Sequence, residues 1–157
     1  MFGEPVSDHY LKFIVNELKP FIDTSYRTLT GQTDTFIMGS SMGGLISLSA
    51  VCEYPEVFGG AGCVSTHWVI GDGIAVNYFK EALPAPGEHR FHFDFGTEGV
   101  DAPYEPFQLL VDEILRSSGY EYEKDWVTHK YPGAGHNEKF WRDRVHIPLE
   151  FLLRPKE

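Results

Sequence analysis

Thr33-Asp34-Thr35-Phe36-Ile37-Met38-Gly39-Ser40-Ser41-Met42-Gly43-Gly44-Leu45 is the stretch on which the fold turns. Thr33 to Met38 is a short β-prone run that ends at Gly39. Gly43 to Tyr54 is rich in Leu, Ile, Val and Ala and stops before Pro55. The order is therefore strand, sharp turn, helix. Gly39 to Gly43 fits the pattern G-x-S-x-G with Ser41 at its centre. A serine hydroxyl is a weak nucleophile, and a turn of this kind sets it on strained backbone at a strand end, where small residues let strand and helix approach. The helix adds its N-terminal dipole and free N–H groups where negative charge develops, with the Met42 N–H as one oxyanion donor.

Outward from this turn, helical and extended periodicities alternate. Leu11, Ile14, Val15, Leu18 and Ile22 predict a helix over 8–19, capped by Ser7 or Asp8 and interrupted by Pro20. Phe58 to Ser65 is Gly-spaced and apolar, which predicts a strand buried on both faces. Residues 67–88 hold several Gly and Pro and predict a loop with one short helix over 76–81. Phe91, Phe93 and Phe95 alternate with His92 and Asp94 in a third strand, whose polar members are expected on a partly open side. Phe107, Leu110, Val111, Ile114 and Leu115 mark the apolar face of a helix over 106–117. Trp126, Val127 and Tyr131 lie on a fourth strand. A last helix over 138–153 would turn Phe140, Trp141, Val145, Leu149 and Leu152 inward. Alternation of this kind points to the α/β class with a mostly parallel sheet, and the length to a single domain over 1–157.

Composition narrows the function classes. With 42% apolar residues, 15% aromatic and 23% charged, the chain has the material for a packed core and not the bias of a disordered one. Its 13 basic and 23 acidic side chains leave a net charge of −10. That is the opposite of a phosphate-neutralising surface, so neither nucleic acid nor an anionic membrane is expected as a partner. Cys52 and Cys63 stand eleven positions apart, which suits neither a CxxC pair nor a zinc knuckle, and both are expected to be buried and reduced. No apolar run reaches the ~20 residues that span a bilayer, and the N-terminus has no signal-peptide pattern, so a cytoplasmic location is expected.

A nucleophilic serine needs a base, and the base needs an orienting acid, each in a loop after a strand. His136 follows the fourth strand in the loop Pro132-Gly133-Ala134-Gly135-His136, whose glycines allow it to curve toward a neighbouring strand end. His67, after the second strand, is its main competitor. The acid should follow the third strand, where Glu98 and Asp101 compete; Asp101 is favoured if the loop needs five residues to turn over the strand end. Trp68, Tyr104 and Trp141 lie in or beside these loops and are candidates for a pocket wall. No metal motif or phosphate-binding glycine pattern occurs, and His89 and His92 would point to opposite faces of a strand, so no metal and no cofactor are expected.

The run Phe36 to Leu45, followed by Tyr54-Pro55-Glu56-Val57-Phe58-Gly59, resembles the α/β-hydrolase family of esterase D-like, feruloyl esterase-like and siderophore esterase-like proteins. So do Phe95-Gly96-Thr97-Glu98 with Asp101-Ala102, the helix Tyr104 to Leu115, Gly135-His136-Asn137-Glu138 with Trp141-Arg142, and the closing Pro148 to Leu152. The resemblance covers essentially the whole chain. It implies hydrolysis of small carboxylic esters, with Ser41, Asp101 and His136 at the triad positions. An acyltransferase or thioesterase using the same residues, or a degenerate hydrolase fold serving as a binding module, are the alternatives. Family members place several strands, and the loop giving a second oxyanion donor, before the nucleophile; only 40 residues precede Ser41 here. The expectation is a truncated α/β-hydrolase fold. Either it self-associates as a homo-oligomer that covers the incomplete sheet, or it is a fragment of a longer protein.

Overall fold

The computed structural model describes residues 6–155. Its centre is a four-stranded sheet in the order β1 (Phe36–Ser40), β2 (Gly60–Val64), β3 (Arg90–Gly96), β4 (Trp126–Tyr131), every pair parallel. Parallel neighbours need a crossover. Helices α3 (Met42–Glu53), α4 (Ile74–Ala82) and α5 (Glu105–Ser117) supply the three crossovers in turn. Before β1 come α1 (Ser7–Phe13) and α2 (Lys19–Ser25); after β4 come α6 (Glu138–Arg144) and α7 (His146–Leu153). The fold is α/β, as the alternating periodicity implies.

The main core lies where α3, α4 and α5 meet the sheet. Leu48, Val51, Cys63, Phe79, Phe91, Phe93, Val111, Leu115 and Trp126 are all buried in it, and Phe79 meets Phe91 edge-on with centroids 5.8 Å apart. A thinner cluster of Val127, Phe151 and Leu152, with Phe36 against it, fills the opposite face under α7. The second face is therefore covered, and His92 and Asp94 are buried rather than set on a partly open side.

Two prolines set boundaries that periodicity alone misses. Pro20 does not stop the first helix. A π-helical segment, Ile14–Leu18, precedes it, and the chain stays helical to Ser25. A proline has no N–H and crowds the carbonyl four residues back, and a widened π turn relieves that crowding. Val6 occupies the N-cap position, and no side chain caps α1. Pro148 acts in the opposite sense. It cannot donate to the carbonyl of Arg144, so the expected 138–153 helix breaks at Val145 into α6 and α7. The break turns Arg144 inward and leaves Val145 and Leu149 exposed. Leu110 on α5, expected inward, is also exposed.

Cys63 is buried and Cys52 half-buried, both as free thiols; burial pushes the Cys52 thiol up to about 12. Among the described residues no helix is long and apolar enough to cross a membrane.

Candidate active site

All four strands end on one side of the sheet, and each ending contributes a polar side chain there. This is where ligands bind in open α/β sheets. Ser41 follows β1, Ser65 follows β2, Asp101 lies in a 3₁₀ turn after β3, and His136 lies in the loop after β4.

Ser41 has φ 59° and ψ −119°, a conformation that L-residues rarely adopt and that costs on the order of 1–3 kcal/mol. The turn is held from both sides. The Ser41 N–H donates to the Val64 carbonyl at 2.8 Å, and the Ser41 carbonyl accepts from Gly44 and His67 at 3.0 and 3.3 Å. Gly39 is required because a Cβ there would come within 2.6 Å of the Gly43 carbonyl oxygen. Gly43 itself faces open space, whereas a Cβ on Gly44 would meet Thr66 Oγ1 at 2.7 Å. The close approach of strand and helix thus rests on Gly39 and Gly44. The Met42 N–H sits at the first position of α3, where no intrahelical acceptor exists.

His136 is placed by two loops fastened together. The Ala134 carbonyl accepts from Thr97 and Glu98, both at 3.0 Å, and the Gly133 N–H donates to Thr97 Oγ1 at 2.8 Å. A side chain on Gly96 would strike the Ala134 carbonyl at 2.1 Å, so only glycine permits this junction. Asn137 caps α6 through the N–H groups of Lys139 and Phe140, which leaves the His136 ring free for other partners.

The junction brings Ser41, His136 and Asp101 into one line. Ser41 Oγ lies 2.8 Å from His136 Nε2, and His136 Nδ1 lies 2.5 Å from Asp101 Oδ1. Asp101 is fully buried, and its other oxygen, Oδ2, accepts from the Gly96 N–H at 2.7 Å and from Ser65 Oγ at 2.8 Å. Glu98, the competing acid, is exposed. His67 does not meet Ser41 through its ring. Its Nδ1 pairs with Tyr104 Oη at 2.6 Å, and its ring centroid stands 6.3 Å from that of His136.

Of the three aromatics expected to wall a pocket, Trp68 and Tyr104 are not available. Trp68 is 1% exposed, sits in the main core and donates its indole N–H to Gln108 Oε1 at 3.0 Å. Tyr104 is 0% exposed, and burial pushes its hydroxyl above the ordinary range. Trp141 is half-buried and stands edge-on to His136 with centroids 4.9 Å apart.

Behind Asp101 is a polar network that sequence reading did not find. Ser65 Oγ accepts from Arg144 Nη2 at 2.8 Å and from Trp141 Nε1 at 3.1 Å, and Arg144 Nη2 also donates to Asp94 Oδ1 at 2.8 Å. Burial pushes the Asp94 carboxyl up, and the Arg144 guanidinium beside it works the other way. Arg144 also lies over the Tyr131 ring at 4.6 Å. The only available signal was indirect: Pro148 fixes a helix break that turns Arg144 inward. Among the described residues, no group of three or more His, Cys, Asp or Glu side chains is placed to hold a metal ion.

Residues 3–146 match the family described as "Putative esterase". The chain belongs to that family. The Uncharacterized protein YbbA of Bacillus subtilis (strain 168) is 31% identical over 153 residues, covering 92% of this chain and 59% of that protein. Carboxylesterase SOBER1 of Arabidopsis thaliana is 28% identical over 136 residues, covering 86% of this chain and 55% of that protein. The chain thus spans a little over half the length of these two relatives. Among solved structures, the enterobactin esterase FES from Shigella flexneri superposes with a TM-score of 0.76 at 20% identity, covering 92% of this chain and 38% of that one. A CE1 ferulic acid esterase from Anaeromyces mucronatus superposes with a TM-score of 0.69 at 21% identity, covering 88% and 52%. These two share the fold.

Proposed function

We propose that the chain carries the catalytic residues of a serine carboxylesterase acting on small or short-acyl esters. The observation that carries this reading is the continuous line Ser41 Oγ, His136 Nε2, His136 Nδ1, Asp101 Oδ1, built on a strained turn at the C-terminal edge of the sheet. Membership of the esterase family and the likeness to the Arabidopsis carboxylesterase support the chemistry.

In this reading Ser41 Oγ attacks the ester carbonyl as its proton passes to His136 Nε2, and the Met42 N–H receives the developing oxyanion. The C–O bond to the alcohol then breaks, and His136 returns the proton to the leaving oxygen. A water molecule gives a proton to His136 and attacks the acyl-Ser41 carbonyl. Collapse releases the acid and restores the Ser41 hydroxyl. Asp101 keeps the Nδ1 proton of His136 in place and faces the imidazolium that forms twice per cycle. Trp141 is the one aromatic of the expected three with exposed surface beside His136, and its face is the proposed contact for the substrate.

We further propose that a second copy covers the open side of β1. Among the described residues that strand pairs with β2 alone, and Phe21, Tyr26, Leu29 and Met38 are exposed around it and along the preceding segment.

A fluorophosphonate probe tests the esterase reading. Covalent labelling at Ser41, abolished in Ser41→Ala and reduced by orders of magnitude in His136→Ala, is the expected result. Labelling that is absent from the parent protein, or insensitive to His136→Ala, contradicts it.

A further inference from the structure

We propose that Ser65 is a positioning residue that holds Asp101 as an oriented, hydrogen-bonded carboxylate facing His136, with Arg144 and Trp141 fixing the direction in which the Ser65 hydroxyl donates. A hydroxyl has one proton to give and two lone pairs to fill. Arg144 Nη2 and the Trp141 indole are donors only, and they approach Ser65 Oγ at 2.8 and 3.1 Å. Both lone pairs are therefore taken, and the single proton points to Asp101 Oδ2, 2.8 Å away. Ser65 and Asp101 are themselves fully buried, so no rotamer ambiguity remains at the hydroxyl.

The backbone supports the same assignment. Ser65 has φ 42°, a left-handed value favoured by glycine, yet a hydroxyl-bearing residue occupies it. Its own N–H is anchored on Asp94, to the carbonyl oxygen at 2.9 Å and to Oδ1 at 3.2 Å. Asp94 also fixes Arg144, so one carboxylate on β3 orients both the strained serine and the cation that feeds it. Without Ser65, Asp101 Oδ2 would keep only the Gly96 N–H.

The inference rests on the esterase reading for its catalytic meaning, but its test does not. The groups facing His136 are Asp101 from the loop after β3, Ser41 from the elbow, His67 after β2, Tyr104 before α5 and Trp141 on α6. Among them Ser65 reaches only Asp101 and Trp141. Removing its hydroxyl takes a positive dipole away from the carboxylate, which then favours the imidazolium more strongly.

The experiment is an NMR titration of the His136 ring in the parent protein, in Ser65→Ala and in the double variant Asp94→Asn/Arg144→Gln. The double variant removes the cation without leaving a buried carboxylate alone. Folding of each is checked by thermal unfolding. The His136 midpoint should rise in Ser65→Ala, and in the same direction in the double variant. With p-nitrophenyl acetate, kcat should fall about 10- to 100-fold in Ser65→Ala with KM little changed. A midpoint that stays put or falls in whichever variant folds overturns the proposal. Absence of Ser41-dependent turnover in the parent protein would instead remove the esterase reading, and the titration would still decide what Ser65 does to Asp101 and His136.

Discussion

Asp101 and Glu98 stand three positions apart in one loop, yet only Asp101 reaches His136, because the 3₁₀ turn Gly99–Asp101 folds it under the strand end while Glu98 stays in solvent. Asp101→Asn should lower kcat by about 10⁴, since a neutral amide neither fixes the imidazole nor faces the imidazolium. Glu98→Gln should leave kcat within a few-fold; steady-state kinetics on the two variants decides, and the reverse ranking would contradict the assignment. Ser41 and His136 were legible because each sits in a glycine-marked turn directly after a strand. Ser65 and Arg144 were not. A lone serine after a Gly-rich strand has no signature, and an arginine near a helix end reads as a solvated charge. His92 is the other residue with a measurable consequence. It is 0% exposed with both ring nitrogens unpartnered, and burial, with His129 beside it, pushes the ring down to about 3. The unfolded chain takes up this proton near pH 6.5, and the folded protein does so only near 3. Unfolding therefore absorbs a proton between those values, and stability falls as pH drops. Lowering pH from 7 to 5 should cost about 2 kcal/mol through this residue. Urea unfolding of His92→Phe should show a flatter pH dependence over that range. An equal dependence in both proteins would refute this account.

The elbow between β1 and α3 separates two glycines that the G-x-S-x-G pattern treats alike. Gly39 has no room for a side chain against the Gly43 carbonyl, so Gly39→Ala should destabilise by about 1–3 kcal/mol and disturb Ser41. Gly43 faces open space on a helix, so Gly43→Ala should be neutral or stabilising by up to about 1 kcal/mol. Denaturant midpoints of the two variants test this, and similar losses in both would show that the pattern acts through backbone freedom instead. At the same scale, strands and crossover helices were read well because their periodicities are strong and their loops carry Gly and Pro. Structure and hydrophobic spacing part at Pro20 and Pro148. The first was accommodated inside a helix by a π segment, and the second ended one; which occurs depends on the carbonyl four residues back, and hydrophobic spacing does not report it.

On the scale of the molecule, four parallel strands bring four loop-borne side chains to one edge. An open groove at the other end of the sheet, lined by Lys19, Asp23, Phe36, Arg90, Leu152 and Arg154, is separate from the Ser41 site. The α/β class and the parallel sheet were legible from alternation, whereas the strand order β1-β2-β3-β4 comes from the structure. Coverage of the second face by α7 was not, because α7's buried residues, Pro148, Phe151 and Leu152, were read as part of one longer helix. The open β1 edge predicts self-association, and sedimentation at micromolar concentration should give a species larger than 17.8 kDa; a stable folded monomer would exclude it. The central claim is tested most directly by hydrolysis of p-nitrophenyl acetate by the chain and by Ser41→Ala at matched concentration with folding verified. Turnover by the parent protein that drops to the uncatalysed rate in Ser41→Ala is the predicted result. Equal rates from the two proteins would contradict it.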